Sequence, residues 1–325
     1  MEFFRAKKAF NLMGWVKPIF TFSLLVTIIS FYLVFHKGFI YGIDFAGGTV
    51  VQVKYDKPVQ IDVLREKLKN TQFASAGIQE FGSPEEIILR LQNTTADVTK
   101  DTAQQVTAAL QGTGNFEIRR VDMVGPKVGK ELQTQGILAL SLSVLGILIY
   151  VAFRFEWRYG IAAIIALVHD VVITAGMVSL FNVEFDLTVL AALLTILGFS
   201  INDTIVIFDR IRETIRESKD AARYSMADII NESVTNTLSR TILTVATVFF
   251  VILTLFLFGG EIIHGFSFAM LIGVIFGAYS SIFVASPFLI WLGYDVAKAK
   301  AGYAEKARNR AEKERLRAQF EQGIV

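Results

Sequence analysis

The sequence predicts a polytopic α-helical membrane protein: six transmembrane helices, with one α+β domain inserted between the first and the second. Three observations carry this. Of 325 residues, 53% are hydrophobic and 19% charged, against roughly 25% charged in an average soluble protein, and the mean hydropathy is +0.49. The apolar residues gather into six stretches, each near the roughly 20 residues that a span requires. One long polar interval, 37–130, separates the first stretch from the other five and alternates strand and helix patterns.

The composition also excludes several classes. A net charge of +2 is too balanced for a nucleic-acid binder. With no cysteine there are no disulfides, thiolate nucleophiles or cysteine-ligated metals. His36, His169 and His264 lie too far apart in sequence to suggest a histidine metal site, so no metal or cofactor is expected. Aromatic residues at 12% exclude a disordered chain.

Residues 1–17 form a basic N-terminus with Arg5, Lys7, Lys8 and Lys17. The first span, 18–36, follows. No small-x-small cleavage site ends it, so it reads as an uncleaved anchor rather than a signal peptide. In the inserted domain, Gly48–Tyr55 alternates β-branched residues and reads as a strand. Residues 62–70 read as a helix with Val63 and Leu68 at helical spacing behind Asp62, which can cap it. Gly77–Phe81 and 86–91 read as strands on either side of a turn, Thr99–Leu110 as a helix with Val106 and Leu110 on one face, and 116–123 as the last strand. The order β-α-β-β-α-β predicts a ferredoxin-like arrangement, a fold too widely used to specify function.

Residues 131–292 hold spans two to six, at about 132–153, 159–181, 187–208, 237–258 and 266–292. The polar segment 209–236 separates spans four and five, and within it 225–233 is amphipathic enough to lie along a membrane surface. In span six, Gly273 and Gly277 form a small-xxx-small pair suited to close helix packing. The tail 293–325 alternates charges with alanine and reads as a solvated helix within reach of anionic lipid. Orientation follows the excess of Lys and Arg on one side. Arg154 and Arg158, then Arg210, Arg212, Arg216, Lys219 and Arg223, share a side with the basic N-terminus and tail, while loops 182–186 and 259–265 hold none. Both termini are expected in the cytoplasm, with the inserted domain outside.

Ionisable side chains inside spans cost about 2.5–3.5 kcal/mol on insertion scales and are functional candidates by default. Asp203 lies in span four within Ser200-Ile201-Asn202-Asp203-Thr204. Its side chain is too short to snorkel well. Arg240 starts span five, and either snorkels there or meets Asp203 at similar depth, since consecutive spans run antiparallel. A cationic neighbour favours the charged form of a carboxylate and burial the neutral form, so a site balancing the two can take up and release a proton. In span three, His169 reads as a satisfied core polar group. Asp170 reads equally as a structural hydrogen-bonding group or part of a relay. The two adjacent side chains point about 100° apart on a helix and would pair only with backbone help. The inserted domain opens with Tyr41-Gly42-Ile43-Asp44-Phe45-Ala46-Gly47-Gly48-Thr49. No helix start or Lys-Ser/Thr pair follows, so the glycines predict a turn rather than a phosphate cradle.

Together, Gly42-Ile43-Asp44-Phe45-Ala46-Gly47-Gly48-Thr49, Val168-His169-Asp170-Val171-Val172-Ile173-Thr174, the stretch from Phe199 through Asn202, Asp203 and Thr204 to Glu213, and Asn236-Thr237-Leu238-Ser239-Arg240-Thr241 resemble the SecF family of bacterial protein export, over nearly the whole chain. The resemblance implies the proton-driven RND superfamily, a periplasmic inserted domain, and an inner-membrane location. It implies SecD as a separate chain completing a twelve-span unit, and work with the SecYEG channel and YajC on a translocating preprotein. It makes Asp203 the protonated carboxylate and Arg240 the basic residue of a proton path, and leaves the role of Asp170 open. Gly42, Asp44, Gly47 and Gly48 would be the family signature; His169, Ser200, Asn202 and Thr204 would be supporting polar groups.

Three other readings stand beside this one. A half-size RND exporter of lipid or another hydrophobic molecule would usually carry a second large outer domain, for which 259–265 is too short. An intramembrane protease built on Asp170 and Asp203 lacks suitable flanking residues. A purely structural subunit would use its polar residues for assembly alone.

Overall fold

The computed structural model describes residues 9–91, 99–217 and 224–321. Arg5, Lys7, Lys8, Lys219 and Arg223, counted above for orientation, lie outside these. Among the described residues, six helices are long and apolar enough to cross a membrane: Met13–Lys37, Pro126–Arg154, Trp157–Leu180, Leu187–Glu217, Met226–Phe258 and Ile262–Trp291.

The first contains α1 (Val16–Tyr32) and ends in a π-turn, Leu33–Lys37. A short helix, α2 (Ile43–Ala46), leads into the inserted domain. The domain runs β1 (Gly48–Tyr55), α3 (Ile61–Leu68), β2 (Gly77–Phe81), β3 (Ser83–Leu91), α4 (Thr99–Leu110) and β4 (Phe116–Val124). Its four-stranded sheet has the order β2-β3-β1-β4, antiparallel throughout, with a bulge between Gln52 and Val53 where β1 pairs with β4. Alternation along β1 places Val51, Val53 and Tyr55 in one core with Ile87, Leu89 and Leu91 of β3. Val106 and Leu110 of α4 enter the same core, fully buried. In α3 the buried pair is Leu64 and Leu68, while Val63 is exposed. This corrects the expected face. The helix starts at Ile61 behind Gln60, so Asp62 sits in the first turn and not at the cap, and the i, i+4 pair facing the sheet begins at Leu64.

The remaining helices are α5 (Pro126–Arg154), α6 (Trp157–Leu180), α7 (Leu187–Glu217), α8 (Met226–Phe258), α9 (His264–Ser280), α10 (Ser286–Trp291) and α11 (Val296–Glu321), with a π-turn, Ser281–Ala285, between α9 and α10. About half or more of the most apolar windows of α6, α7 and the sixth span is buried, against 11% for α1, α5 and α8. Thus α6, α7 and α9 form the centre of the bundle. The glycines of α9 explain its close approach to α7: a Cβ on Gly273 would stand 2.2 Å from Ile196 Cδ1, and one on Gly277 would stand 3.3 Å from Ser200 Cβ.

Polar segments next to the spans are more helical than the sequence implied. Residues 209–217 continue α7. The stretch 225–233 does not form a separate surface helix. Ser225 and Asp228 make a capping box that starts α8, and Ile229, Ile230 and Val234 bury against the bundle core. Its apolar stripe faces protein. The tail helix α11 is exposed almost throughout, with Tyr303 under the Arg216 guanidinium at its base.

Candidate functional site

Asp203 sits on the inward side of α7 and is 4% exposed. Its Oδ2 is buried with no hydrogen-bond partner among the described residues. Arg240 is the charged group whose field acts on this carboxylate, yet no hydrogen bond or ion pair joins the two among the described residues. The Arg240 side chain is exposed on α8, and Asn202 is exposed on α7. Both project from the bundle, whereas Asp203 and its neighbour Thr204 point inward. A helix turns about 100° per residue, which separates Asn202 from Asp203 in this way.

Asp170, fully buried, is the centre of a second polar group. Its Oδ2 accepts from Ser200 Oγ at 2.5 Å and Ser280 Oγ at 2.8 Å, and its Oδ1 lies 2.8 Å from His169 Nδ1. His169 Nε2 lies 2.6 Å from Ser23 Oγ on α1. With a neutral ring, Nδ1 donates to the carboxylate and Nε2 accepts from the serine. The group therefore ties α1, α6, α7 and the end of α9 together. The direct His169–Asp170 bond departs from the sequence expectation: Nδ1 is close enough to the backbone for the ring to turn onto the neighbouring carboxylate. Thr204 Oγ1 adds a further link, 3.0 Å from Ser281 Oγ. Nothing in the sequence singles out Ser23 or the Ser280-Ser281 pair, since serines in an apolar run carry no periodic signal. Among the described residues, no group of three or more His, Asp and Glu side chains is placed to hold a metal ion.

The glycine-rich opening of the inserted domain does more than turn the chain. Gly47 and Gly48 have φ of +72° and +131°, and a Cβ on Gly48 would stand 2.7 Å from the Leu91 carbonyl oxygen, so both need glycine. Just before them, Gly42 N–H donates to Phe185 O at 3.0 Å, Phe185 N–H donates to Ile40 O at 2.7 Å, and Asp44 Oδ2 accepts from Leu187 N–H at 3.2 Å. A carboxylate beside the first turn of α7 also complements the positive end of the helix dipole. From β3, Arg90 donates to Glu184 in the same α6–α7 loop. These contacts border a cleft of about 550 Å³ between the sheet face and the membrane bundle. Burial pushes the Glu184 carboxyl above its ordinary range; Asp186 and Asp44 act in the same direction and Arg90 opposes them.

The pattern of α6, α7 and α8 and the glycine-rich opening match known sequences. A family model for the C-terminal region of the protein-export membrane proteins SecD and SecF matches residues 105–295, and the SecD/SecF GG motif matches 32–59. Protein translocase subunit SecF of Helicobacter pylori strain J99 is 43% identical over 326 residues, covering 100% of both chains. The chain belongs to the SecF family. The Vibrio alginolyticus SecF is also 43% identical, over 90% of this chain and 92% of its own. Among solved structures, SecDF of Thermus thermophilus, described as a translocon-associated membrane protein, superposes with a TM-score of 0.79 at 35% identity, over 89% of this chain. A SecDF in a super-membrane-facing form gives 0.65 at 34% identity, over 94%. This SecF-family chain spans 39% and 40% of the lengths of those two. The family motif thus falls on the segment that fastens the inserted domain to the α6–α7 loop.

Proposed function

We propose that this chain is the SecF subunit of a bacterial Sec translocase accessory complex, working with SecD as a separate chain to drive preprotein export through SecYEG with the proton gradient. YajC and membrane lipid are the further partners of that reading. The chain crosses the inner membrane six times with both termini in the cytoplasm, and its inserted domain, ferredoxin-like in its strand order, faces the periplasm. Asp203 takes up and releases the proton, Arg240 supplies the positive charge, and Asp170 with His169 belongs to the same polar path. Ser200, Asn202 and Thr204 support it, and Gly42, Asp44, Gly47 and Gly48 hold the periplasmic domain to the bundle.

The observation that carries this reading is Asp203 Oδ2, buried inside the bundle and without a hydrogen-bond partner among the described residues. A structural carboxylate would be fully satisfied, as Asp170 is, because an unpaired buried charge is costly. Protonation removes that charge and changes which packing of α7 is favoured, and a bistable bundle can turn a small shift into rigid-body motion of an attached domain. The exposure of Arg240 and Asn202 supports a second membrane chain covering that side.

The test uses Arg240. In membrane vesicles holding the complex, Arg240→Ala should abolish the gradient-dependent part of preprotein export at normal protein abundance. Arg240→Lys should restore it at least partly if a point charge suffices, and fail if the planar fork holds two groups. Full export by Arg240→Ala would mean that the residue merely snorkels, and would end the proton-path reading of it.

A further inference from the structure

Asp203 stands between two hydroxyl side chains on α7, and both lead to one place on helix six. Ser200, three residues earlier, bonds Asp170 Oδ2, and Ser280 bonds the same oxygen. Thr204, the next residue, meets Ser281. Ser280 closes α9 and Ser281 opens the π-turn Ser281–Ala285. The turn is braced at its far end by Ser286 Oγ, which donates to the Ser281 carbonyl at 2.9 Å. Ser200, Thr204, Ser280, Ser281 and Ser286 are all between 0% and 1% exposed, so water does not compete for these bonds.

Three of these hydroxyls have more acceptors in reach than protons to give. Each hydroxyl has one proton. Ser280 Oγ lies 2.8 Å from Asp170 Oδ2 and 3.1 Å from Gly277 O. Ser281 Oγ lies 3.0 Å from Gly277 O and 3.0 Å from Thr204 Oγ1. Thr204 Oγ1 lies 3.0 Å from Ser281 Oγ and 3.2 Å from Ser200 O. Each donor can serve its own helix or the neighbouring one, so the network has two arrangements, one bonded across the helices and one bonded within them. A π-turn inside a longer helix is a place where register can change, and such turns concentrate at functional sites.

We propose that Thr204, Ser280 and Ser281 form a hydroxyl clasp that transmits the charge state of Asp203 to the π-turn of helix six. They are positioning residues, and the proposal rests on the proton-carrying role of Asp203 stated above. The charged group acting on Asp203 is Arg240 from α8; one turn back on α7, Ser200 bonds the Asp170 of the His169–Asp170 pair of α6. Helix six meets the residues beside Asp203 through hydroxyls, Ser280 at Asp170 and Ser281 at Thr204. When Asp203 is charged, α7 is held in one position and the hydroxyls bond across to helix six. When it is neutral, α7 shifts, the donors turn back to their own carbonyls, and the segment after the π-turn moves.

The chain has no native cysteine, so spin labels report single sites. Phe153→Cys on α5 and Trp291→Cys at the end of α10 are exposed positions. In the complex with its membrane partner, the distance between these labels should change between acidic and alkaline pH, and Asp203→Asn should fix it at the acidic value. Thr204→Val keeps the shape and removes the hydroxyl; it should abolish the shift while infrared spectroscopy still shows the Asp203 carboxyl titrating. Thr204→Ser should restore the shift. A pH-dependent distance retained in Thr204→Val, or not restored in a folded Thr204→Ser, overturns the clasp and leaves the proton reading standing. An Asp203 carboxyl that does not titrate in the wild type overturns both.

Discussion

Gly176→Ala should force α1 and α6 apart. A Cβ at Gly176 would lie 2.3 Å from Ser30 Cβ, 2.6 Å from Ser30 Cα and 2.6 Å from Ser30 Oγ. Rotating the serine cannot relieve this, because its Cα is backbone. To restore an ordinary carbon contact of roughly 3.5–4.0 Å, the helices must separate by about 1.2–1.7 Å at the crossing. Overpacking of this kind costs about 1–3 kcal/mol. The same separation stretches the 2.6 Å bond between Ser23 and His169, two turns away on the same helix pair. Gly146→Ala on α5 is the control: the same methyl is added to a helix, and nothing lies within 4 Å of it. The assay is thermal unfolding of the purified, detergent-solubilised chain, with membrane abundance measured alongside. Gly176→Ala should lower the midpoint and the abundance while Gly146→Ala leaves both at or above wild type. Equal midpoints for the two variants would refute the close-approach argument.

Other outcomes follow from the same geometry. Asp170→Ala leaves Ser200, Ser280 and His169 without their acceptor and should cost about 3–5 kcal/mol of stability, whereas Asp170→Asn keeps part of the acceptor and should cost less; equal thermal midpoints would contradict the hub. In the inserted domain, Leu64→Ala removes a fully buried side chain and should cost about 2–5 kcal/mol, read as the urea midpoint of residues 40–127 expressed alone. At the domain–bundle contact, Glu184 binds its proton more tightly when docked than when free, because burial raises its carboxyl above the ordinary 4.5. Docking should therefore be strongest at low pH and weaken as pH rises from the free carboxyl value through the docked one. Glu184→Gln should stay docked and lose this pH dependence, while Arg90→Ala should weaken docking by on the order of 1 kcal/mol. Hydrogen exchange of residues 40–48 across pH reads both, and a contact that loosens on acidification would reverse the sign argued here.

The spans and the strand and helix order were legible because apolar runs and two clean periodicities carry them. Val51, Val53 and Tyr55 alternate as a strand with one buried face must, and Val106 and Leu110 recur as a packed helix must. The face of α3 differs from the expectation because its start depends on the cap: Gln60, two residues before Asp62, holds that place, and Leu64 faces the sheet. The stripe on 225–233 was real, but periodicity does not say whether it meets lipid or protein. In the candidate site, a charge in a span is conspicuous, so Asp203, Arg240 and Asp170 stood out. Their partners did not. Ser23, Ser280 and Ser281 come from helices far apart in sequence, and a serine lowers the hydropathy of a span too little to mark it. The Arg90–Glu184 contact joins two surface residues whose meeting depends on how the domain sits on the bundle.

The most direct measurement is preprotein export into inverted membrane vesicles, with and without an imposed proton gradient, comparing wild type with Asp203→Asn at equal protein level. The amide keeps the size of the side chain and costs less than a carboxylate in the membrane, so the variant should insert and assemble normally. The account predicts that the gradient-dependent increment disappears while the gradient-independent rate remains. A full increment in Asp203→Asn would contradict the claim that this buried carboxylate carries the proton.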